Sequence, residues 1–184
     1  EHETRDGLTP NDGLLQLELA NLTPDNIWSL AFYSADNSRH STLVTFRTAL
    51  ESEDSRIVRF GVTSCLGNQN VPWLSLSRAA EENLDFVILA GDTVYADGSR
   101  TLLDYQSEWE YAFSSKEVRD LSASTSLIAT WDDHEVDNDW SWDNELIATL
   151  FPLALEAFRQ ALPWREGPGE STLWRSIKWG RTIE

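Results

Sequence analysis

The sequence predicts an α/β domain built on a parallel sheet with helical crossovers, incomplete within these 184 residues and preceded by part of an antiparallel β region. Three observations predict it. Strand candidates at Ile57 to Thr63, Asp85 to Ala90 and Leu127 to Thr130 each run into a polar cluster. Segments with helical spacing separate them, giving the order β-α-β-α-α-β. The first fifty residues have a different texture, with apolar and polar residues alternating.

In that first region Leu15, Leu17 and Leu19 alternate with polar residues, and Trp28, Leu30 and Phe32 do so after the turn Thr23-Pro24-Asp25. Val44, Phe46 and Thr48 mark a third strand, and Glu51 to Ser55 reads as a linker. Three strands with one apolar face do not make a sandwich alone, so either more strands precede Glu1 or the set leans on the second region; missing strands are the expectation. Ile57 to Thr63 then leads into Ser64-Cys65. Pro72 is expected at a first helical position, with Trp73, Leu76, Ala80 and Leu84 following at helical spacing. Asp85-Phe86-Val87-Ile88-Leu89-Ala90 reads as a continuous apolar strand covered on both faces, ending in Gly91-Asp92-Thr93-Val94-Tyr95. From Thr101 to about Leu121 the positions Leu102, Tyr105, Trp109, Phe113, Val118 and Leu121 mostly keep helical spacing, with a break at Ser114-Ser115. Glu145 to Leu162 reads as a helix interrupted or restarted at Pro152 and stopped by Pro163. Arg165 to Gly169 is a loop, Leu173, Arg175, Ile177 and Trp179 alternate as a strand, and Thr182 to Glu184 begin another, so the chain is expected to end in mid-fold.

Strands joined by helical crossovers run parallel, and open α/β sheets bind ligands beyond the carboxyl ends of their strands. Cys65, then Asp92 with Tyr95, then Asp132, Asp133 and His134 all fall on that edge. The run Trp131 to Asp139 crowds carboxylates that repel one another unless solvated, protonated or neutralised, and a metal is the first candidate partner. An EF-hand is excluded by the spacing. Each residue also has a plain structural reading: Cys65 as an inert buried thiol, Tyr95 as a core aromatic, Asp92 as a turn cap, His134 as a hydrogen-bonded ring, and the acidic run as a solvated loop. Asp137 and Asp139 read as solvent-facing. Trp131, Trp140 and Trp142 flank the acids as core or pocket wall, with a stacking platform for a ring substrate as the alternative.

Composition narrows the classes. An apolar content of 41% supports a packed core, and no apolar run reaches membrane-spanning length. The 14 basic against 31 acidic residues give a net charge of −17, which disfavours nucleic acid or an anionic membrane as partner and favours cations. One cysteine forbids an internal disulfide. Methionine is absent, so the chain is expected to be a processed product or fragment, and the missing leader says nothing against secretion.

Phe60-Gly61-Val62-Thr63-Ser64-Cys65, Gly91-Asp92-Thr93-Val94-Tyr95, the Tyr105 region, Trp131-Asp132-Asp133-His134-Glu135-Val136 and Trp179-Gly180-Arg181 together resemble the PhoD-like alkaline phosphatases, a branch of the calcineurin-like metallophosphoesterases. The resemblance runs from about Leu15 to Glu184 and implies a metallophosphoesterase-like sheet over residues 56–184, after the last strands of a fibronectin type III-like β domain in residues 1–50 and a linker at 51–55. It implies hydrolysis of phosphate monoesters or diesters by a metal-activated water, in a secreted or periplasmic protein. Cys65 and Tyr95 would bind Fe3+, Asp92 would bridge to one or two further cations, such as Ca2+, Asp133 would be a metal ligand and Asp132 a weaker one, and His134 would contact phosphate or protonate the leaving group. Thiolate and phenolate are strong donors to ferric iron, and a carboxylate can join neighbouring ions.

The departures are specific. Thr93 and Val94 replace the middle of the family's Gly-Asp-Tyr-Ile-Tyr-Glu, and Ala96-Asp97 replace its final acid, so Asp97 is expected to take that acid's place one position later. The family's remaining ligands fall beyond Glu184, and His2 and His40 lie outside the phosphatase region. A second polypeptide or an absent C-terminal half is therefore expected to complete the site. The competing class is a calcium-stabilised extracellular binding or adhesion module without turnover, and a member that has lost or changed its chemistry is a third.

Overall fold

The computed structural model describes residues 14–162 and 176–184, and the expected alternation of strands and helices is present in them. The strands are β1 (Ile27–Leu30), β2 (Val44–Arg47), β3 (Phe60–Thr63), β4 (Phe86–Ala90) and β5 (Ser126–Thr130), and the helices α1 (Leu74–Glu81), α2 (Leu102–Ser114), α3 (Lys116–Ser124) and α4 (Ile147–Ala161). β3, β4 and β5 form a parallel sheet in sequential order, with Val62 opposite Ile88 and Ile88 opposite Ile128. Because both crossovers step the same way and such crossovers are right-handed, the helices they carry belong on one face. Alternation along β4 shows it: Val87 and Leu89 join the core with Leu76, Tyr105, Trp109, Leu121 and Leu150. Phe86 faces the opposite way and packs with Leu50 and Trp179, with Ile88 and Ile128 beside them. On the edge strand β3, Phe60 and Val62 are 48% and 60% exposed among the described residues.

Helix ends follow their caps. Thr101 and Asp104 form a capping box at the start of α2, and Ser115 both terminates α2 and caps α3 through its side chain, which is why the helical run breaks there. Pro72 does not open α1. Trp73 is the N-cap, and its indole N–H donates to the Leu66 carbonyl at 2.9 Å, so the helix begins one residue further on. Pro152 does not interrupt α4 either. The apolar face of Ile147, Leu150, Ala154, Ala157 and Phe158 is buried on both sides of it, and that burial outweighs the one backbone bond a proline removes.

The amino-terminal region departs most from expectation. β1 and β2 pair antiparallel, with Trp28 opposite Phe46, but Leu15 to Leu19 form no strand. Their alternation is real, with the leucines half-buried and their neighbours exposed, yet the segment lies on the end of α4, where Gln16 donates to the carbonyls of Arg159 and Gln160 at 2.9 and 3.2 Å. Carbonyls in the last turn of a helix lie beyond the regular backbone ladder, and a side-chain amide stabilises them. At the other end, Leu173 and Arg175 lie outside the described residues, Ile177 is not in a strand, and Trp179 bridges antiparallel to Ile183 around Gly180.

Asp85 is not part of an apolar run. It is a buried acid at the entrance to β4, accepting from both Arg56 Nη atoms at 3.0 and 2.7 Å, from the Arg59 backbone N–H at 2.9 Å, and pairing with Arg47 Nε at 3.2 Å. Asp25 shares Arg56 and Arg47, so four charges tie the β1–β2 hairpin to the sheet. Burial pushes the Asp85 pKa up, but hydrogen bonds from Arg56 and Arg59 and the two guanidinium charges overcome it and hold the carboxyl below the ordinary value. A lowered folded-state pKa means that stability from this network is complete above the unfolded pKa near 3.8 and drains as pH falls below it. Asp85→Ala should therefore lower unfolding free energy at neutral pH by on the order of 2–3 kcal/mol, by denaturant titration. The deficit relative to the parent should shrink as the pH is taken down through 3.8.

Candidate metal centre

The three carboxyl ends of β3, β4 and β5 open onto one edge, and the residues just beyond them meet there. After β3 the chain turns at Cys65, whose φ of 53° lies in the left-handed region; after β4 it turns at Gly91 and Asp92, with φ of 91° and 52°. These turns cross: the Cys65 N–H donates to the Gly91 carbonyl at 3.4 Å and the Leu66 N–H to the Asp92 carbonyl at 3.1 Å. Non-glycine residues in that region are strained, and two sit side by side here. Gly91 is required by space as well as by conformation, since a Cβ on it would stand 2.7 Å from both the backbone N and the Cβ of Asp132.

Asp92 is the centre of the group. It is 6% exposed, its Oδ2 accepts from the Cys65 thiol at 3.2 Å, and its Oδ1 is buried with no partner among the described residues. A ligand oxygen of Asp92, one of Asp133 and a ring nitrogen of His134 all lie within 4.8 Å of one another. Tyr95 stacks on His134 with centroids 4.0 Å apart. Burial pushes the Tyr95 phenol above its ordinary pKa, and Asp92, a hydrogen bond with Cys65 and the charge of Asp133 push the same way. Cys65, Asp92, Tyr95, Asp133 and His134 are thus one cluster, with Cys65 exposed rather than an inert buried thiol. Asp132 is not in that group; its contribution is a backbone N–H.

The surroundings fix the orientation of the group. Asp97 grips His134 Nδ1 at 2.8 and 2.9 Å. Partial burial works against a charged imidazole, but the Asp97 contact and the charges of Asp133 and Asp92 raise its pKa overall. Burial likewise works against the charged form of Asp133, but backbone hydrogen bonds, led by that from the Asp139 N–H, and the charge of His134 together outweigh it, and the carboxyl titrates below its ordinary value. Tyr105, fully buried on α2, donates to the Val136 carbonyl at 2.9 Å and holds the loop from below; burial pushes its pKa up to about 12. Asp137 is only half-exposed and accepts from the Gly98 N–H at 3.0 Å, whereas Asp139 is exposed. Trp131 packs on Phe151 and Phe158 as a wall of the core, and Trp140 joins the same layer. Trp142 is 65% exposed.

Glu135 is the residue least visible in the sequence. It is 1% exposed and accepts from the backbone N–H groups of Thr93 at 2.7 Å, Asp132 at 2.9 Å and Asp92 at 3.1 Å. Burial raises its pKa against the opposing pull of those three donors. Nothing in the sequence separates it from its acidic neighbours, although its place just before Val136, also buried, puts it on the inward side of the loop.

A parallel sheet with helices on one face and an acid-rich cluster at its carboxyl edge defines a mixed α/β domain. The chain shares its fold with the solved structure of PhoD at a TM-score of 0.74 and 21% identity, over 86% of this chain and 36% of that one. It shares it also with the purple acid phosphatase PPD1 from yellow lupin (Lupinus luteus) seeds, at 0.61 and 15%, over 86% and 29%. Residues 60–184 match the PhoD-like phosphatase family, and the chain belongs to that family. No curated protein matches it. The chain spans about a third of the length of the solved structures it resembles. Among the described residues no helix is long and apolar enough to cross a membrane.

If the crossing of the β4 and β5 ends depends on the missing Cβ at residue 91, Gly91→Ala should displace the Asp132 backbone and cost about 3 kcal/mol of stability, the sum of steric overlap and left-handed strain. Thermal unfolding of the variant checks this, and an unchanged midpoint contradicts it.

Proposed function

We propose that the chain carries part of the active site of a phosphoric ester hydrolase of the alkaline phosphatase and phosphodiesterase kind, acting through a metal-activated water. The observation that carries this reading is the meeting of Cys65, Asp92, Tyr95, Asp133 and His134, with one Asp92 oxygen buried and without a hydrogen-bond partner among the described residues. A buried carboxylate oxygen left unpaired is costly, and in a chain of net charge −17 a cation is the partner chemistry that removes the cost. Membership of the PhoD-like family supports the same reading.

In this proposal Cys65 and Tyr95 would be donors for Fe3+, Asp92 would be shared with one or two further cations such as Ca2+, and Asp133 would be a further ligand. Cations held there would polarise the phosphoryl oxygens and lower the pKa of a bound water. The protein's own work is to place the groups. With Nδ1 of His134 engaged by Asp97, Nε2 is the ring atom free to contact the phosphate or to give a proton to the departing oxygen. Asp97 takes this place two residues after Tyr95. The proposal includes further ligands from polypeptide outside these 184 residues, a fibronectin type III-like origin for the β1–β2 hairpin within residues 1–50, and a secreted or periplasmic location.

Elemental analysis for iron and calcium, a visible spectrum, and turnover of nitrophenyl phosphate against its bis-ester test the proposal together. The expected result is bound iron with a visible band from phenolate or thiolate, and turnover that His134→Asn lowers by about 10²–10⁴-fold, the range for a positioned acid. Colourless, iron-free protein that binds calcium and hydrolyses neither ester would instead identify a calcium-stabilised binding module.

A further inference from the structure

We propose that Glu135 is a positioning residue that sets the separation of Asp92 and Asp133, and through it the affinity of the cluster for a cation; this rests on the reading of that cluster as a metal site. Glu135 is wholly buried, and among the described residues its hydrogen-bond partners are three backbone N–H groups, none of them a cationic side chain. Burying a carboxylate without a counter-ion is costly, and an apolar side chain of similar volume would instead leave three backbone N–H groups without an acceptor. Glu135 therefore does something an apolar group cannot.

The geometry says what that is. β4 and β5 are paired as far as Ala90 and Thr130, and beyond that point the ladder of backbone hydrogen bonds between them ends. Glu135 spans the gap: Oε2 accepts from Asp92 on one chain and Asp132 on the other, and Oε1 from Thr93. One oxygen therefore holds a residue of each strand end, and the two candidate ligands are Asp92 itself and the neighbour of Asp132. Gly91 allows the two ends to come this close. With acceptors on both oxygens the carboxyl group meets all three donors. In Glu135→Gln the amide nitrogen must face either Thr93 N–H or the shared Asp92 and Asp132 pair, donor against donor, although size and packing are kept.

The test is a titration of the metal-free full chain with Mn2+ as probe, followed by electron paramagnetic resonance, at a temperature where circular dichroism shows both proteins folded. Affinity measured there reports placement of ligands and not the folded fraction. E135Q should bind Mn2+ about 10–100-fold more weakly, the usual effect of losing a residue that orients a metal's ligands, and Asp120→Asn, on the distant surface of α3, should bind like the parent. Equal affinity in E135Q and the parent overturns the proposal while leaving the metal site standing. A parent that takes up no Mn2+ overturns both. Should E135Q not fold, amide exchange in the metal-free parent decides instead: protection of the Asp92, Thr93 and Asp132 amides comparable to that of β4 supports the proposal, and free exchange overturns it.

Discussion

The fold depends on the parallel registration of β3, β4 and β5, because it alone brings residues 65, 92 and 133 to one place. Both crossovers are helical and step in the same direction, so all three carboxyl ends share an edge and the helices share a face. Everything chemical follows from that edge. Side chains nearly seventy residues apart in sequence meet only because the three parallel strands end within one residue of one another in register, and the left-handed turns at Cys65 and Asp92 lie just beyond those ends.

Buried acids divide the labour in this chain. Asp85 sits at the amino end of β4 with two arginines, and Glu135 sits at the carboxyl end with backbone donors only. The first joins the β1–β2 hairpin to the sheet by paired charge, and its carboxyl is held below the ordinary pKa. The second is pushed above it by burial. Among the described residues Asp92, by contrast, has no ion-pair partner, one oxygen on Cys65 and the other without a hydrogen-bond partner. That contrast among three buried carboxyls is the basis for proposing Asp92 as a binding group and the other two as structural.

Sequence periodicity made the sheet legible. The apolar runs 86–90 and 127–130 are strands, the break at Ser114-Ser115 is a shared cap, and the polar residues at the strand ends are those that converge. It failed where tertiary contacts outweighed the local pattern. Leu15, Leu17 and Leu19 alternate like a strand but answer to the end of α4, and Pro152 looks like a break but is carried by a helix whose buried face extends past it. Asp85 and Glu135 went unread for a common reason: an acid stabilised by distant arginines or by backbone donors from another strand leaves no trace in the residues beside it. Asp132 and Asp133 look alike in the sequence, yet it is an oxygen of Asp133 that groups with Asp92 and His134, while the Asp132 backbone N–H donates to Glu135.

The central claim is that Asp92 stands at the middle of a cation site formed with Cys65, Tyr95 and Asp133. Anomalous diffraction above and below the iron absorption edge, on crystals of the protein purified with its native metals, measures this most directly. The account requires an iron peak in bonding contact with Asp92, flanked by Cys65 and Tyr95. An edge-dependent peak elsewhere, or none in the space these four side chains enclose, would contradict it.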